Sequence, residues 1–144
     1  MEWKIPRLKD IYESRTCVVD QAYRNIKPGS RVFIGTGCAV PQYLVESLTR
    51  YPRYFADVEI LHLVSVNDNL PYTDPEFKHN FRLNTFFIGG SARDAVRRGD
   101  ADYTPIFLSE IPKLIKTGRL HIDVALIQVT PPDMFGNCSL GVSV

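Results

Sequence analysis

Three short stretches of the sequence carry the residue types that chemistry would need. They are Gly35-Thr36-Gly37, Gly89-Gly90-Ser91 with Arg93 just behind it, and Thr130-Pro131-Pro132-Asp133 running on to Gly136. Each follows an apolar run (IGTG, IGGSAR and VTPPDMFG), so each falls where a strand gives way to a turn. In open α/β sheets ligands bind outside the carboxyl ends of the strands. Glycine there lets the backbone approach a ligand closely. A helix that follows offers unpaired N–H groups and the positive end of its dipole to an anion. The three stretches together predict an anion-friendly rim built from backbone donors.

Taken singly, each stretch has a plainer reading beside the functional one. Gly35-Thr36-Gly37 does not complete a GxGxxG fingerprint, because Val40 stands in the third glycine's place, and no Gly-Lys-Ser/Thr makes it a phosphate loop. It fits a tight strand-to-helix turn as well as a ligand contact. Gly89-Gly90-Ser91 fits a turn with Ser91 as helix cap. Arg93 falls in the first turn of the next helix, where a cation opposes the dipole by roughly a few tenths of a kcal/mol. A bound carboxylate or phosphate would relieve that cost, and so would an ordinary salt bridge. Arg97 and Arg98 suit a solvated C-terminal face. Asp133 can close an Asx turn or act on a substrate.

Other chemistries lack their signatures. There is no GxSxG, and no Ser or Cys lies beside a His. Cys17, Cys38 and Cys138 are odd in number and form no CxxC motif. They read as reduced thiols in a cytoplasmic setting, with Cys17 and Cys138 expected to be buried and inert in apolar patterns. His62, His79 and His121 are isolated, so no metal site is expected. A net charge of +1 gives no footprint for nucleic acid. Apolar runs are too short for a membrane span, and the N-terminal MEWKIPRLKD shows no secretory leader. With 144 residues, 44% of them hydrophobic, the chain can build one ordinary globular core.

The elements that would position these stretches alternate between strand and helix, which argues for a mostly parallel open sheet with helices on both faces. A helix is expected from Thr16, as cap, to Ile26, with Val18, Val19, Ala22 and Ile26 on one face. Lys27-Pro28-Gly29-Ser30 breaks it. Strands are expected at Arg31 to Ile34, at Val58 to Val66 (buried on both faces), at Thr85 to Ile88, at Asp123 to Val129 and at Cys138 to Val144. Tyr103 to Ile106 reads as short and extended. Helices are expected around Val40, Leu44, Val45 and Leu48, from Ser91 to Arg98 with Gly99 ending it, and from a Ser109 cap to Gly118 with Ile111, Leu114 and Ile115 inward. The stretch SVNDNLPYTDPEF is a long loop of the kind often given to function. The sequence finishes in a strand-like pattern, from which a longer natural protein is expected.

The segments IKPGSRVFIGTGCAVPQYL, NTFFIGGSARDAVRRGDADYTPIFLSEIP and IDVALIQVTPPDMFGNCSLGVSV occur in this order. Together they closely resemble the acetyl-CoA hydrolase/transferase family of class I CoA-transferases, which includes 4-hydroxybutyrate and succinyl-CoA:acetate CoA-transferases. The resemblance runs from about Thr16 to Val144, and TPPDMFGNCSLGVSV is its most specific motif. Met134-Phe135 stand where members often carry a Glu-His pair, which takes a titratable pair out of this loop.

The resemblance implies two similar α/β domains of the CoA-transferase type, related to sugar-phosphate isomerase folds, with this chain as most of the first. It implies acyl-CoA and a short-chain carboxylate as substrates, with no tightly bound cofactor; an unpaired last strand and an absent second domain would leave apolar surface open, from which self-association is expected, most simply as a homodimer. It also implies covalent catalysis by a glutamate carboxylate lying past Val144, since none of Glu46, Glu59, Glu76 and Glu110 has the family's catalytic context. Candidate substrate and oxyanion contacts on this chain are Gly35, Thr36, Gly37, Gly89, Gly90 and Ser91, with Arg93 as partner for a carboxylate. A sugar-phosphate isomerase on a related sheet, or a non-catalytic ligand-binding or structural module, would share the architecture without the chemistry.

Overall fold

In the computed structural model, residues 4–65 and 70–142 are described. Five strands form one sheet: β1 Arg31–Ile34, β2 Val58–His62, β3 Phe81–Thr85, β4 Ala101–Tyr103 and β5 Val124–Leu126. All their pairings are parallel, in the order β4-β3-β2-β1-β5. The helices are α1 Pro6–Arg15, α2 Val19–Tyr23, α3 Gln42–Arg50, α4 Gly90–Arg98 and α5 Ile111–Lys116. Four single 3-10 turns fill the links between them. The expected α/β class holds.

Every residue of β2 is buried. Successive side chains of a strand point to opposite faces, so Val58 and Ile60 join one apolar cluster and Leu61 the other. The larger cluster packs Val32, Ile34, Ile60 and Leu83 against Tyr23, Leu48 and Phe55. The smaller one sets Leu61, Phe86 and Ile111 against Phe33, Ile106 and Ile115. Glu59 shares the face of Leu61 and is held by polar partners. Arg31 Nε donates to it at 2.6 Å and Asn84 Nδ2 at 3.0 Å, while Thr104 Oγ1 donates to Asn84 Oδ1 at 2.8 Å. Burial pulls the Glu59 carboxyl upward, but the bonds from Asn84 and Arg31 outweigh it and leave the group below its ordinary value.

Several boundaries differ from expectation. Pro6, at the first helical position, starts a helix that the apolar periodicity did not reveal, for α1 has no buried residue. Thr16 ends α1, its hydroxyl donating to Tyr12 O at 2.8 Å, and α2 begins only at Val19. The third strand lies four residues before the expected Thr85 to Ile88. Phe81, Leu83 and Thr85 alternate inward around an exposed Arg82, and this register carries the ladder to β2. Strand β5 stops at Leu126, because it pairs on one side only; Ile127 and Val129 beyond it are exposed.

The helix expected from Ser109 begins at Ile111, after a 3-10 turn containing Ser109. No strand forms at 138–142. There the backbone closes a loop, with Thr130 N–H donating to Ser139 O at 2.9 Å and Ser139 N–H to Thr130 Oγ1 at 2.9 Å. The ends of two expected elements, Val66 of the second strand and residues 143–144 of the last, lie outside the described residues, as does part of the long loop. Cys17 and Cys138, expected to be buried, are exposed like Cys38, since they sit in connecting segments and not on core faces. No helix among the described residues is long and apolar enough to cross a membrane.

Ile60 has no exposed surface and lies in a strand paired on both sides. Replacing it with Ala should cost about 2–5 kcal/mol of stability, read as a lower urea midpoint with an unchanged slope.

Candidate functional site

The strand order reverses beside β1. β2, β3 and β4 succeed it on one side, and β5 returns to its other side. The strand order thus switches between β1, which leads on to β2, and β5, which is reached from β4, and such a switch point is where an open α/β sheet leaves a crevice at its carboxyl ends. Gly35-Thr36-Gly37 sits at that crevice. Gly35 N–H donates to Leu126 O at 2.9 Å, which closes the base of the turn onto β5. A Cβ on Gly35 would stand 3.0 Å from Ala39 O and 3.5 Å from Leu126 O, so any side chain here would press on the backbone oxygen of Ala39. Gly37 takes φ +61°, a left-handed conformation that glycine adopts without strain.

A cavity of 270 Å³ opens here, walled by Cys38, Gln128, Thr130, Ser139 and Leu140. It shares Val129 and Thr130 with a larger, mostly apolar groove of 540 Å³ between α1 and the 129–138 segment. Leu8, Ile11 and Tyr12 form the helical wall of that groove, and Pro131 and Pro132 the other.

The second glycine stretch comes to the same rim. α4 begins at Gly90 with Gly89 in the cap position and no side-chain cap bond, so Ser91, expected as the cap, lies inside the first turn. The leading N–H groups of a helix have no intrahelical partner, and the glycine in the cap position offers them no side-chain acceptor. Arg93 is exposed in the same first turn and forms no ion pair among the described residues. Arg97 and Arg98 pair with Asp94 at 3.7 Å and Asp100 at 2.6 Å, as a solvated face would.

Residues 64–65 lie between the two glycine stretches. Gly37 N–H donates to Val64 O at 2.9 Å, and Gly37 pairs with Ser65 in a one-residue parallel bridge. Thr36 Oγ1 donates to Val64 O at 2.6 Å and accepts from Val64 N–H at 3.0 Å. The Thr36 hydroxyl is therefore turned into the scaffold.

The third stretch behaves structurally. Asp133 Oδ1 accepts from the N–H groups of Phe135 at 2.8 Å and Asn137 at 2.9 Å, an Asx-type closure. Bonds from Asn137, backbone first and side chain second, hold its carboxyl below the ordinary value.

Three features were not read from the sequence. Val64 is an ordinary apolar residue in an apolar run, and nothing marks it. Gln128 is a polar residue at the end of an apolar strand, a signal that was present. His62 is buried at the carboxyl end of β2, where a 3.0 Å hydrogen bond joins its Nδ1 to the buried Tyr72 hydroxyl. Among the described residues no His, Cys, Asp and Glu side chains group to hold a metal ion.

Burial pushes His62 from its ordinary 6.5 down to about 4. The unfolded chain therefore takes up a proton on acidification that the folded chain refuses. Stability should fall as pH drops from about 6.5 to 4, by at most about 1.4 kcal/mol per pH unit. This slope should flatten in His62→Leu, measured by urea unfolding across that range, even though the variant is less stable overall for leaving Tyr72 without its partner.

Comparison with known proteins finds relatives along nearly the whole chain. The family model for the acetyl-CoA hydrolase/transferase N-terminal domain matches residues 5–144. The 4-hydroxybutyrate coenzyme A transferase of Clostridium kluyveri is 41% identical over 143 residues, which is 99% of this chain and 32% of that protein. A succinyl-CoA:acetate/propanoyl-CoA:succinate CoA transferase of Fasciola hepatica is 42% identical over 127 residues, 87% of this chain and 26% of that protein. The chain thus spans about a third or less of these relatives' lengths.

Among solved structures, the 4-hydroxybutyrate CoA-transferase of Porphyromonas gingivalis superposes with a TM-score of 0.67 at 25% identity, over 92% of this chain and 29% of that one. RipA from Yersinia pestis gives 0.77 at 19% identity, over 88% and 31%, a likeness of fold alone. The family match takes in both glycine stretches and the 129–142 segment, and the chain belongs to the acetyl-CoA hydrolase/transferase family, whose N-terminal domain it carries.

Proposed function

We propose that this chain is the N-terminal part of an acyl-CoA:carboxylate CoA-transferase that exchanges CoA between short carboxylic acids. The observation that carries the reading is the 41% identity to a CoA-transferase across 99% of the chain. The backbone-donor rim at the β1/β5 crevice supports it. In the proposed reaction a glutamate carboxylate attacks the acyl-CoA thioester carbonyl, and CoA thiolate leaves as an acyl-glutamyl anhydride forms. The thiolate then attacks the glutamyl carbonyl, releasing the first carboxylate and leaving a glutamyl-CoA thioester. An acceptor carboxylate repeats the two steps in reverse and restores the glutamate. If water takes the acceptor's place the outcome is hydrolysis.

Each tetrahedral intermediate needs oxyanion donors already in place. The N–H groups of Gly90 and Ser91 at the start of α4 are the proposed source on this chain; Gly35, Gly37 and Gly89, whose N–H groups are given to Leu126 O, Val64 O and Phe87 O, shape the rim around them and let a ligand come close. Arg93 is the proposed partner of the substrate carboxylate. The nucleophile is assigned to a second domain outside these 144 residues, in keeping with the third of the relatives' length that the chain covers. Four of the chain's glutamates support that assignment. Glu59 is tied to Arg31 and Asn84, Glu76 and Glu110 lie in 3-10 turns, and Glu46 is exposed on α3. CoA enters as substrate, with no resident cofactor in the proposed scheme. A cytoplasmic homodimer is part of the proposal. Phe107 at 78% exposure and Leu108 at 61% are apolar surface that an assembly would cover.

The test supplies acetyl-CoA and a panel of short carboxylates to the complete gene product that contains this chain, with the 144-residue chain run beside it. Transfer by the complete product alone is the expected result; no transfer to any member of the panel overturns the reading. Within the active protein, Arg93→Met should raise KM for the acceptor carboxylate about tenfold or more, because a hydrogen bond to a charged group contributes about 1.5–3 kcal/mol. KM for acetyl-CoA should move less.

A further inference from the structure

We infer that Thr36 is a positioning residue that sets the spacing between the two glycine stretches through Val64, an inference that rests on the CoA-transfer reading of the same rim. Three hydrogen bonds converge on one residue. Thr36 Oγ1 both donates to Val64 O at 2.6 Å and accepts from Val64 N–H at 3.0 Å, and Gly37 N–H donates to Val64 O at 2.9 Å. Val64 is not in a regular strand; β2 ends at His62. Its backbone polar groups therefore cannot rely on the ladder, and a half-buried N–H without an acceptor is costly. The threonine hydroxyl supplies both what Val64 N–H needs and a second donor for Val64 O.

On its other side Val64 meets the second stretch. A Cβ on Gly89 would lie 3.3 Å from Val64 Cγ2 and 3.8 Å from Ser65 O, so Gly89 is packed directly on the residue that Thr36 holds. Gly89 is the cap position of α4, and Arg93 N–H donates back to Gly89 O at 3.2 Å. The backbone is further tied to β3 by Thr85 Oγ1, which donates to Phe87 O at 2.7 Å, and by Phe87 N–H, which donates to Leu63 O at 3.0 Å. The chain of contact is continuous: Thr36 hydroxyl, Val64 backbone, Val64 side chain, Gly89, first turn of α4. Thr36 touches no ligand in this scheme. It fixes where the N–H groups of α4 stand relative to the Gly35–Gly37 turn, and preorganised donors are effective only at a set distance from the developing charge.

The paired variants are Thr36→Ser, which keeps the hydroxyl, and Thr36→Val, which keeps the branched shape and removes both of its bonds. In the complete gene product, Thr36→Val should lower kcat roughly 10- to 100-fold, the scale of a small misplacement of reacting groups. KM for acetyl-CoA should stay near wild type, and Thr36→Ser should restore kcat. Leu48→Ala, a change in the buried face of α3, is the stability control and should leave kcat of the folded enzyme unchanged. Gly89→Ala acts on the same Val64, so its loss combined with that of Thr36→Val should be smaller than the product of the two.

A second readout needs no activity. Amide exchange should quicken at Val64 and at Arg93 in Thr36→Val and stay slow in Thr36→Ser. If wild type shows no transfer, the functional reading fails while exchange still tests the contact chain. Wild-type kcat in Thr36→Val, or exchange quickened at Val64 but not at Arg93, overturns the inference.

Discussion

Strand β1 needs a hydrogen-bonding partner on each of its edges, and the whole architecture follows from how that need is met. One edge is filled by β2, the next strand in sequence, and the other by β5, the last. Because all pairings are parallel, every return to the sheet requires a crossover: the one from β1 to β2 packs α3 on the face of Ile60, and the one from β4 to β5 packs α5 on the face of Leu61, so the chain flanks β1 from opposite faces. The crevice at the carboxyl end of β1 is a geometric product of that arrangement. Its base is closed by a single backbone bond, Gly35 N–H to Leu126 O, which carries the ladder one residue beyond the strand. Where the ladder ends, a side chain takes over its work at Thr36.

Burial then decides which faces can hold polar groups. The face bearing Val32, Ile34, Val58, Ile60 and Leu83 is apolar, and helices α2 and α3 contribute Tyr23 and Leu48 to it. The opposite face admits a polar strip from Arg31 through Glu59 and Asn84 to Thr104, in which each group is bonded to the next. Such a strip is tolerable only when satisfied throughout, since a half-paired buried carboxylate costs more than an apolar substitute. Its presence fixes the lateral registry of β1, β2 and β3 by a second means besides the ladder.

The rim was legible because its signals are local. Glycines after apolar runs marked Gly35, Gly37, Gly89 and Gly90, and the cation of Arg93 stood out against the dipole of its own helix. The Asx closure at Asp133 was read from the prolines before it and Gly136 after it. What stayed hidden depends on contacts between distant residues. Strand β3 was placed too late because TFFI is the more apolar run, while the observed strand alternates Phe81, Leu83 and Thr85 inward, and alternation is decided by pairing with β2. Strand β5 was drawn too long because apolar character continues past Leu126 after the last partner has ended. Helix α1 had no inward face to betray it. The role of Val64 has no local signature, since it arises from Thr36, 28 residues earlier in the chain.

The two outer strands, β4 and β5, have three residues each. An edge so brief offers a passing chain few backbone groups to zip onto, and β4 ends one residue before Thr104 and two before Pro105, which has no N–H to give. Growth of the sheet by addition of foreign strands is thereby discouraged at both margins. Apolar side chains can remain on the surface near these margins, Phe107 and Ile127 among them, without inviting fibril-like stacking. Encounters between molecules are left to proceed through side-chain packing, which can be selective in a way that naked backbone is not.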